Sequence, residues 1–209
     1  MDSNLIMSLD KSSYPSIVII ARTGSSRYPL KVLEKINGKS FIERTIERVT
    51  LSKLRDKIIL AIPENSENDI LSTIALENNI LFYRGSQEDV LSRIYNLCLN
   101  FRCENIVRIN GDCPFIDSKL IDEIVEDHLM GGFDYSSNII EDSFPIGMHV
   151  EAINFKAIEK AFKLSKLQIE REHVTPYIYN RPSVFKINSI ASKVNNSDLR
   201  LCIDYQRRY

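Results

Sequence analysis

Short apolar runs alternate with segments of helical periodicity along the first 130 residues of the chain. The runs are rich in Ile and Val and continuous rather than alternating, which is typical of strands buried on both faces. They predict strands at 16–21, 57–62, 80–83 and 105–110. The segments between them place their apolar residues on one helical face and predict helices at 41–49, 66–79, 88–101 and 117–132. This order predicts an α/β fold with a mostly parallel sheet covered by helices on both faces.

Polar and small residues mark the ends of two of these helices. Ser66 is predicted to cap the N-terminus of the second helix, and Asp117 that of the fourth. Gly131 is predicted to end the fourth helix, because glycine adopts the left-handed conformation common at helix C-termini.

The pattern changes after residue 133. Strand-like runs at 133–138, 147–153 and 183–189 are interleaved with helical segments near 154–165 and 169–180, and a final strand is expected at 199–204. We therefore expect a flexible leader over residues 1–14, followed by a single domain over 15–209. A partly antiparallel insertion around 133–190 would lie on the edge of the sheet.

Charge and composition exclude several classes of function. The 27 basic residues balance 28 acidic ones, so no global field favours nucleic acid or a membrane surface. No apolar run approaches the roughly 20 residues of a membrane span, and charges interrupt the N-terminus where a secretory signal would be apolar. Four dispersed cysteines and three dispersed histidines argue against a zinc site. The cysteines are interpreted as reduced thiols of a cytoplasmic protein, and His128, among acids on a helix, as a surface residue.

The first strand is followed by a cationic loop, ARTGSSRYPLK, at 21–31. In open α/β sheets, ligands bind outside the carboxyl ends of the strands. Gly24 allows close backbone approach, Ser25 and Ser26 offer hydroxyl and N–H donors, and Arg22, Arg27 and Lys31 supply charge. The loop lacks the Gly-Lys-Ser/Thr of a P-loop and the further glycines of a dinucleotide fingerprint. It is interpreted either as a phosphate-binding loop or as a solvated basic turn.

An acid follows the fourth predicted strand in VRINGDCPFID, at 107–117. Asp112 would stand at the same sheet edge as the cationic loop. A carboxylate that faces a polyphosphate usually meets it through a divalent ion, and Mg²⁺ prefers one or two carboxylates plus phosphate oxygens. Asp204, at the end of the last apolar run, is a candidate second ligand. The alternative is that Asp112 only caps a turn.

Together these motifs resemble the cytidylyltransferases related to spore coat polysaccharide biosynthesis protein F, cousins of the CMP-Kdo and acylneuraminate cytidylyltransferases. The resemblance runs over residues 16–204, through the loop above, RGSQEDVLSRIYN, VRINGDCPFID, DYSSN, FPIGMHVE, EREHVTPYIY and LRLCID. It implies a nucleotide-diphospho-sugar transferase fold, that is, a Rossmann-like mixed sheet flanked by helices, and a homodimer. It also implies transfer of CMP from CTP to a small anionic acceptor with release of pyrophosphate.

The resemblance assigns roles where residues match. Triphosphate binding falls to Ala21, Arg22, Gly24, Ser25, Arg27 and Lys31, and the base side to Arg84, Gly85 and Ser86. Asn110 and Asp112 are also expected to bind the nucleotide, and Asp112 and Asp204 to hold Mg²⁺. The acceptor side and the construction of the pocket fall to Arg108, His149, Glu151, Arg171, Glu172 and His173. Arg22, Lys31 and Asp112 are the expected catalytic residues.

Two departures from the family pattern stand out. Leu30 replaces a common Gly, and His149 replaces a typical Asp, which removes a negative charge from the acceptor side. The acceptor is expected to be a sugar acid or a phosphorylated molecule in surface polysaccharide or glycoconjugate synthesis. Alternatives are a nucleotidyltransferase that uses another NTP and a sugar phosphate, and a non-catalytic nucleotide-binding descendant. His173 is either a general base or a hydrogen-bonded structural residue.

Overall fold

A computed structural model describes residues 14–24 and 28–202 of the chain. The strands are β1 (Ser16–Ile20), β2 (Lys35–Ile36), β3 (Lys39–Ser40), β4 (Ile58–Pro63), β5 (Leu81–Gly85), β6 (Asn105–Asn110), β7 (Tyr135–Ser137), β8 (Glu151–Asn154) and β9 (Ile187–Ser189). The α-helices are α1 (Phe41–Val49), α2 (Asp69–Glu77), α3 (Val90–Phe101), α4 (Ser118–Gly131), α5 (Phe155–Leu164), α6 (Gln168–His173) and α7 (Pro176–Tyr179). Short 3₁₀ turns lie at Lys31–Leu33, Arg55–Lys57 and Ser66–Asn68.

Seven strands form one mixed sheet in the order β5-β4-β1-β6-β8-β7-β9. The strands β5, β4, β1 and β6 are parallel to one another. Strand β8 pairs antiparallel with both β6 and β7, and β7 pairs parallel with β9. The predicted α/β fold with a mostly parallel, Rossmann-like sheet is therefore confirmed, and the antiparallel step lies within the segment where the sequence pattern changed.

Alternate residues of the central strands enter two separate apolar layers. In β1, Ile17 and Ile19 pack with α1, α2 and α4, whereas Val18 packs on the other side with α3, α5 and α7. Strand β6 does the same, with Val107 and Ile109 on the first side and Ile106 on the second. This burial on both faces is why these strands read as continuous apolar runs.

Two of the predicted helix ends need correction. Ser66 lies in a 3₁₀ turn and not at a cap, and α2 begins three residues later, at Asp69. Gly131 is the last residue of α4, and the left-handed residue that ends the helix is Gly132, at φ 58°. Asp117 caps α4 as predicted, because its side chain accepts a hydrogen bond from the backbone N–H of Lys119 at 3.0 Å.

The predicted elements beyond residue 133 are longer than the observed ones. The strand expected at 147–153 begins at Glu151, and the helix expected at 169–180 is two short helices separated by Val174, whose φ is 72°. Within residues 199–202, the expected last strand is reduced to a single parallel bridge between Ile146 and Arg200. Residues 203 and 204 lie outside the described part of the chain.

The strand order places a crevice between β1 and β6. From β1 the chain proceeds outward through β4 to β5, then returns to form β6 on the other side of β1. Ligands of open α/β sheets bind at the carboxyl ends of the strands at such a reversal of strand order. Within the described residues, none of the helices combines the length and the apolar character needed to cross a membrane.

Candidate active site

The loop that leaves β1 is fixed by backbone hydrogen bonds. The N–H of Thr23 donates to Oδ1 of the buried Asn68 at 2.9 Å, and Thr23 Oγ1 lies 3.2 Å from the same oxygen. The carbonyl of Thr23 accepts from the N–H of Leu30 at 2.9 Å, which brings the two described ends of the loop together. Leu30 has a left-handed backbone, φ 61°, where glycine would be unstrained. Asn68 was missed by sequence reasoning, which placed the cap at Ser66.

Lys31 and Asp112 form an ion pair across the crevice. Lys31 opens the 3₁₀ turn after the loop, and Asp112 follows β6. Both side chains are largely buried. Gly111 makes the close approach possible, since a Cβ there would lie 2.9 Å from Ala21 Cβ and 2.9 Å from Ile42 Cδ1. The loop and the end of β6 therefore place a cation and a carboxylate side by side at the sheet edge.

A cavity of about 430 Å³ lies at this edge. Its predicted lining residues are Ala21, Arg22, Lys31, Arg108, Asn110, Asp112, Glu172 and His173. Ile20, Val32, Val90 and Arg93 also line it and were not predicted. Sequence segments from the first loop, the fourth strand and the helix near residue 171 thus converge on one cavity that carries four cationic side chains.

Arg108 is held from behind by a buried carboxylate. It ion-pairs with Glu151, which is 4% exposed and also accepts hydrogen bonds from the hydroxyls of Tyr135 at 2.7 Å and Thr175 at 2.6 Å. Arg108 Nη2 lies 3.4 Å from Asn110 Oδ1. Glu151 is absent from the cavity lining. It orients a lining arginine from outside the cavity; its predicted role was on the acceptor side and in the construction of the pocket.

Arg93 is the main lining residue that sequence reasoning missed. It is 1% exposed, its Nη1 donates to the carbonyl of Ser86 at 2.9 Å, and burial with the charges of Arg22 and Arg108 lowers its pKa to about 10. The signal was present in the sequence: Arg93 lies three residues after Val90 and four before Leu97, on the apolar stripe of α3. A charge on a buried helical stripe indicates function more often than a charge on a solvated face.

The predicted base-side segment supports the site without lining it. Arg84 donates to the carbonyls of Glu64 and Asn65 at 2.9 and 3.1 Å, and it pairs with Asp69 at 2.6 Å. Gly85 gives room to Arg93, because a Cβ at Gly85 would lie 2.9 Å from Arg93 Cγ.

Arg171 and His149 lie away from the cavity lining. Arg171 pairs with Asp89, donates to the carbonyl of Phe162 at 2.8 Å and stacks 4.8 Å above the Phe162 ring. His149 is half-buried, and burial lowers its pKa. Gly24, also predicted for the phosphate loop, is exposed and does not contribute to the lining.

The prediction that His128 is a surface residue is wrong. His128 is 1% exposed, and burial lowers its pKa to about 4. Its Nδ1 lies 2.9 Å from Ser136 Oγ and its Nε2 lies 3.4 Å from Asn105 Oδ1. The neighbouring acids along α4 point to other faces of the helix, so the local sequence suggested a solvated face that the sheet covers.

Three predicted site residues, Ser25, Arg27 and Asp204, lie outside the described residues. Among residues 14–24 and 28–202, no group of three or more His, Cys, Asp or Glu side chains is placed to hold a metal ion. Asp112 is the predicted Mg²⁺ ligand that lies at the cavity, and phosphate oxygens would complete its ligand set.

Comparisons with known proteins agree with this geometry. A sequence profile described as "Cytidylyltransferase" matches residues 16–209. Protein MJ1063 of Methanocaldococcus jannaschii is 39% identical over 191 residues, which cover 90% of this chain and 76% of that protein. The spore coat polysaccharide biosynthesis protein SpsF of Bacillus subtilis is 29% identical over 199 residues, 92% of this chain and 82% of SpsF.

A solved cytidylyltransferase structure has the same fold as this chain. The cytidylyltransferase of Leptospira borgpetersenii superposes with a TM-score of 0.88 at 31% identity, over 90% of this chain and 80% of that one. The profile match spans most of the sequence and includes every described element around the cavity. The chain therefore belongs to the cytidylyltransferase family of nucleotidyltransferases.

Proposed function

We propose that this protein transfers CMP from CTP to a small anionic acceptor, a sugar acid or a phosphorylated molecule, and releases pyrophosphate. The observation that carries the proposal is the convergence of Arg22, Lys31 and Asp112 on one cavity at the switch point of the sheet. A role in surface polysaccharide or glycoconjugate synthesis is supported by the similarity to SpsF.

The cationic side chains suit the charge that moves during transfer. In-line attack on the α-phosphate makes pyrophosphate the leaving group, so negative charge accumulates on the β and γ phosphates. Lys31 and Arg22 would bind these phosphates and stabilise that charge. Positioning and charge neutralisation supply most of the rate enhancement in phosphoryl transfer.

The ion pair between Lys31 and Asp112 keeps both groups in place before the nucleotide binds. On binding, Lys31 would exchange the carboxylate for phosphate oxygens. Asp112 would then hold Mg²⁺, with Asp204 as the predicted second ligand. When bound, the ion would neutralise phosphate charge and lower the barrier to attack. Asn110, the last residue of β6, would orient the phosphate groups through its side-chain amide.

The test is pyrophosphate release from CTP and Mg²⁺ across a panel of sugar acids and phosphorylated polyols. Lys31→Ala is expected to lower turnover by a factor on the order of 100 to 1,000, because it removes a donor to the developing charge. The matched control is Lys35→Ala, since Lys35 is an exposed lysine of β2 outside the cavity lining. Near-normal turnover in Lys31→Ala, with the control also normal, would remove Lys31 from the mechanism.

Base selection is tested separately. A thermal-shift series with CTP, UTP, GTP and ATP in the presence of Mg²⁺ should show the largest stabilisation with CTP. Equal or larger shifts with another nucleotide would overturn CTP as donor. Nucleotide binding without pyrophosphate release for any acceptor would favour the binding-only descendant.

A further inference from the structure

Arg93 is a buried cation without a carboxylate partner among the described residues. It is 1% exposed, it makes no ion pair within residues 14–24 and 28–202, and its Nε has no hydrogen-bond partner there. One described contact, to the carbonyl of Ser86, uses one of its five N–H donors. Burial of a cation without a counter-ion is unfavourable by several kcal/mol unless an anion completes the site.

The nearby carboxylates are engaged elsewhere. Asp89, one helical turn before Arg93, caps α3 by accepting from the N–H of Ser92 at 2.8 Å and ion-pairs with Arg171. Glu151 is paired with Arg108. Glu172 lies 3.8 Å from Arg22 on the exposed rim of the cavity. The fold therefore supplies each of these acids with another cation and leaves Arg93 without one.

Arg108 repeats the same feature on the facing strand. Its Nε is also buried without a partner among the described residues, although Glu151 holds its Nη1. Arg93 and Arg108 both line the cavity, and the charges of Arg108 and Arg22 act on Arg93. Each of these two guanidinium groups thus keeps an N–H without a partner among the described residues, and both side chains line the same cavity, where guanidinium groups can bind an oxyanion.

This pair lies deeper in the crevice than Lys31 and Asp112. Arg108 lies within β6, whereas Asp112 lies in the turn that follows the end of the strand. Side chains of Arg108 and Asn110 share the face that α3 covers, because strand residues alternate. The cavity accordingly has an outer cation at Lys31, beside the phosphate loop, and an inner cationic floor at Arg93 and Arg108.

We propose that Arg93 and Arg108 form an inner anion subsite that binds a carboxylate or phosphate group of the acceptor. The proposal rests on the proposed transferase function and specifies which residues select an anionic acceptor. The outer residues would hold the triphosphate, and the acceptor's anionic group would bind at the floor. A neutral sugar would leave the buried Arg93 without a counter-ion and would bind poorly.

The experiment measures binding of inorganic phosphate to the protein saturated with CTP and Mg²⁺, by isothermal titration calorimetry, with no acceptor present. Arg93→Met keeps the aliphatic stem and removes the guanidinium. We expect it to weaken phosphate binding at least tenfold while CTP affinity stays within threefold of wild type. Arg55→Met, which alters an exposed arginine outside the cavity lining, should change neither.

Thermal unfolding without ligand supplies a second readout. Arg93→Met should melt at the wild-type temperature or above it, because the substitution removes a buried unpaired charge. A residue with only a structural role would lower the melting temperature on substitution. If Arg93→Met does not fold, Arg93→Lys keeps the charge but lacks the planar fork, and it should still weaken phosphate binding at least threefold.

Three results would overturn the subsite. They are unchanged phosphate binding in the variant, no phosphate binding to the wild-type CTP complex, and a tenfold loss of CTP affinity with phosphate binding intact. The last would assign Arg93 to the nucleotide's own phosphates. If wild type fails to bind CTP at all, the proposed transferase function fails instead, and phosphate titration of the nucleotide-free protein still tests Arg93.

Discussion

At position 30 a leucine has the backbone conformation of a glycine. Its φ of 61° closes the loop that follows β1, and its side chain is exposed and contributes little packing. Left-handed geometry costs a non-glycine residue roughly 1–2 kcal/mol. Leu30→Gly removes this strain, and the greater entropy of glycine in the unfolded chain offsets about 0.5–1 kcal/mol of the gain. We expect the free energy of unfolding to rise by about 0.5 kcal/mol.

The matched control is Leu51→Gly, an exposed leucine at which φ is not positive. It should lose about 1 kcal/mol, because only the entropy term remains. Urea denaturation of both variants gives the comparison. An equal decrease in the free energy of unfolding in Leu30→Gly and Leu51→Gly would mean that the backbone of Leu30 is unstrained.

Asn68 is a second single residue on which the loop depends. Its Oδ1 accepts from the N–H of Thr23, and it is fully buried. Asn68→Ala leaves this buried donor without a partner and should lower the free energy of unfolding by about 1–3 kcal/mol. It should also weaken CTP binding, since the loop bears Arg22. Asn68→Asp keeps an acceptor oxygen and should retain more of the stability and more of the CTP affinity. Similar losses in the two variants would show that the hydrogen bond to Thr23 is not what matters.

Single elements were predictable where burial alone shapes them. Strands β1, β4 and β6 were located within one or two residues because apolar layers cover both of their faces. The ends of elements were less predictable. The side chain of Asn68 accepts a hydrogen bond from a residue 45 positions away instead of capping α2. The helical segment 169–180 is interrupted at Val174, whose positive φ no local sequence pattern indicates.

Helix α4 carries a titratable group whose burial couples stability to pH. Buried His128 has a pKa near 4 in the folded protein, against an ordinary value of 6.5, and Asp134 opposes the shift only weakly. The unfolded chain thus binds more protons between these values. The free energy of unfolding therefore has its full value, as far as His128 is concerned, above pH 6.5. It falls by on the order of 3 kcal/mol as the pH is lowered towards 4.

Denaturation curves between pH 4 and pH 7 measure this dependence. His128→Gln should reduce its slope, because the substitution removes the buried group that the unfolded chain protonates. His149, whose pKa burial also lowers, keeps a smaller slope of the same sign in the variant. An unaltered slope in His128→Gln would assign the acid sensitivity to other groups.

At the scale of the whole molecule, the order of the strands determines which site residues can be predicted to lie together. Lys31 and Asp112 could be paired from sequence, because both follow strands whose carboxyl ends meet at one edge. Arg93 could not, because its position depends on how α3 packs against the sheet. The contacts of Glu151 and Arg171 likewise depend on packing: sequence shows that a charge exists, and only packing shows which partner it faces.

Glu151 joins the edge of the sheet to the crevice. From β8 it contacts Arg108 of β6, Tyr135 of β7 and Thr175 between α6 and α7. Glu151→Ala would leave a buried arginine and two hydroxyls without their partner, and removal of one member of a buried ion pair typically costs about 3–5 kcal/mol. We expect a loss of that size in guanidinium unfolding, with Arg108 released into the cavity and catalysis reduced further than stability alone explains.

The control is Glu159→Ala, which breaks an exposed ion pair with Lys163 on α5 and should lower the free energy of unfolding by less than about 0.5 kcal/mol. A comparably small loss for Glu151→Ala would show that the side chain of Glu151 contributes little to holding the antiparallel edge on the parallel core.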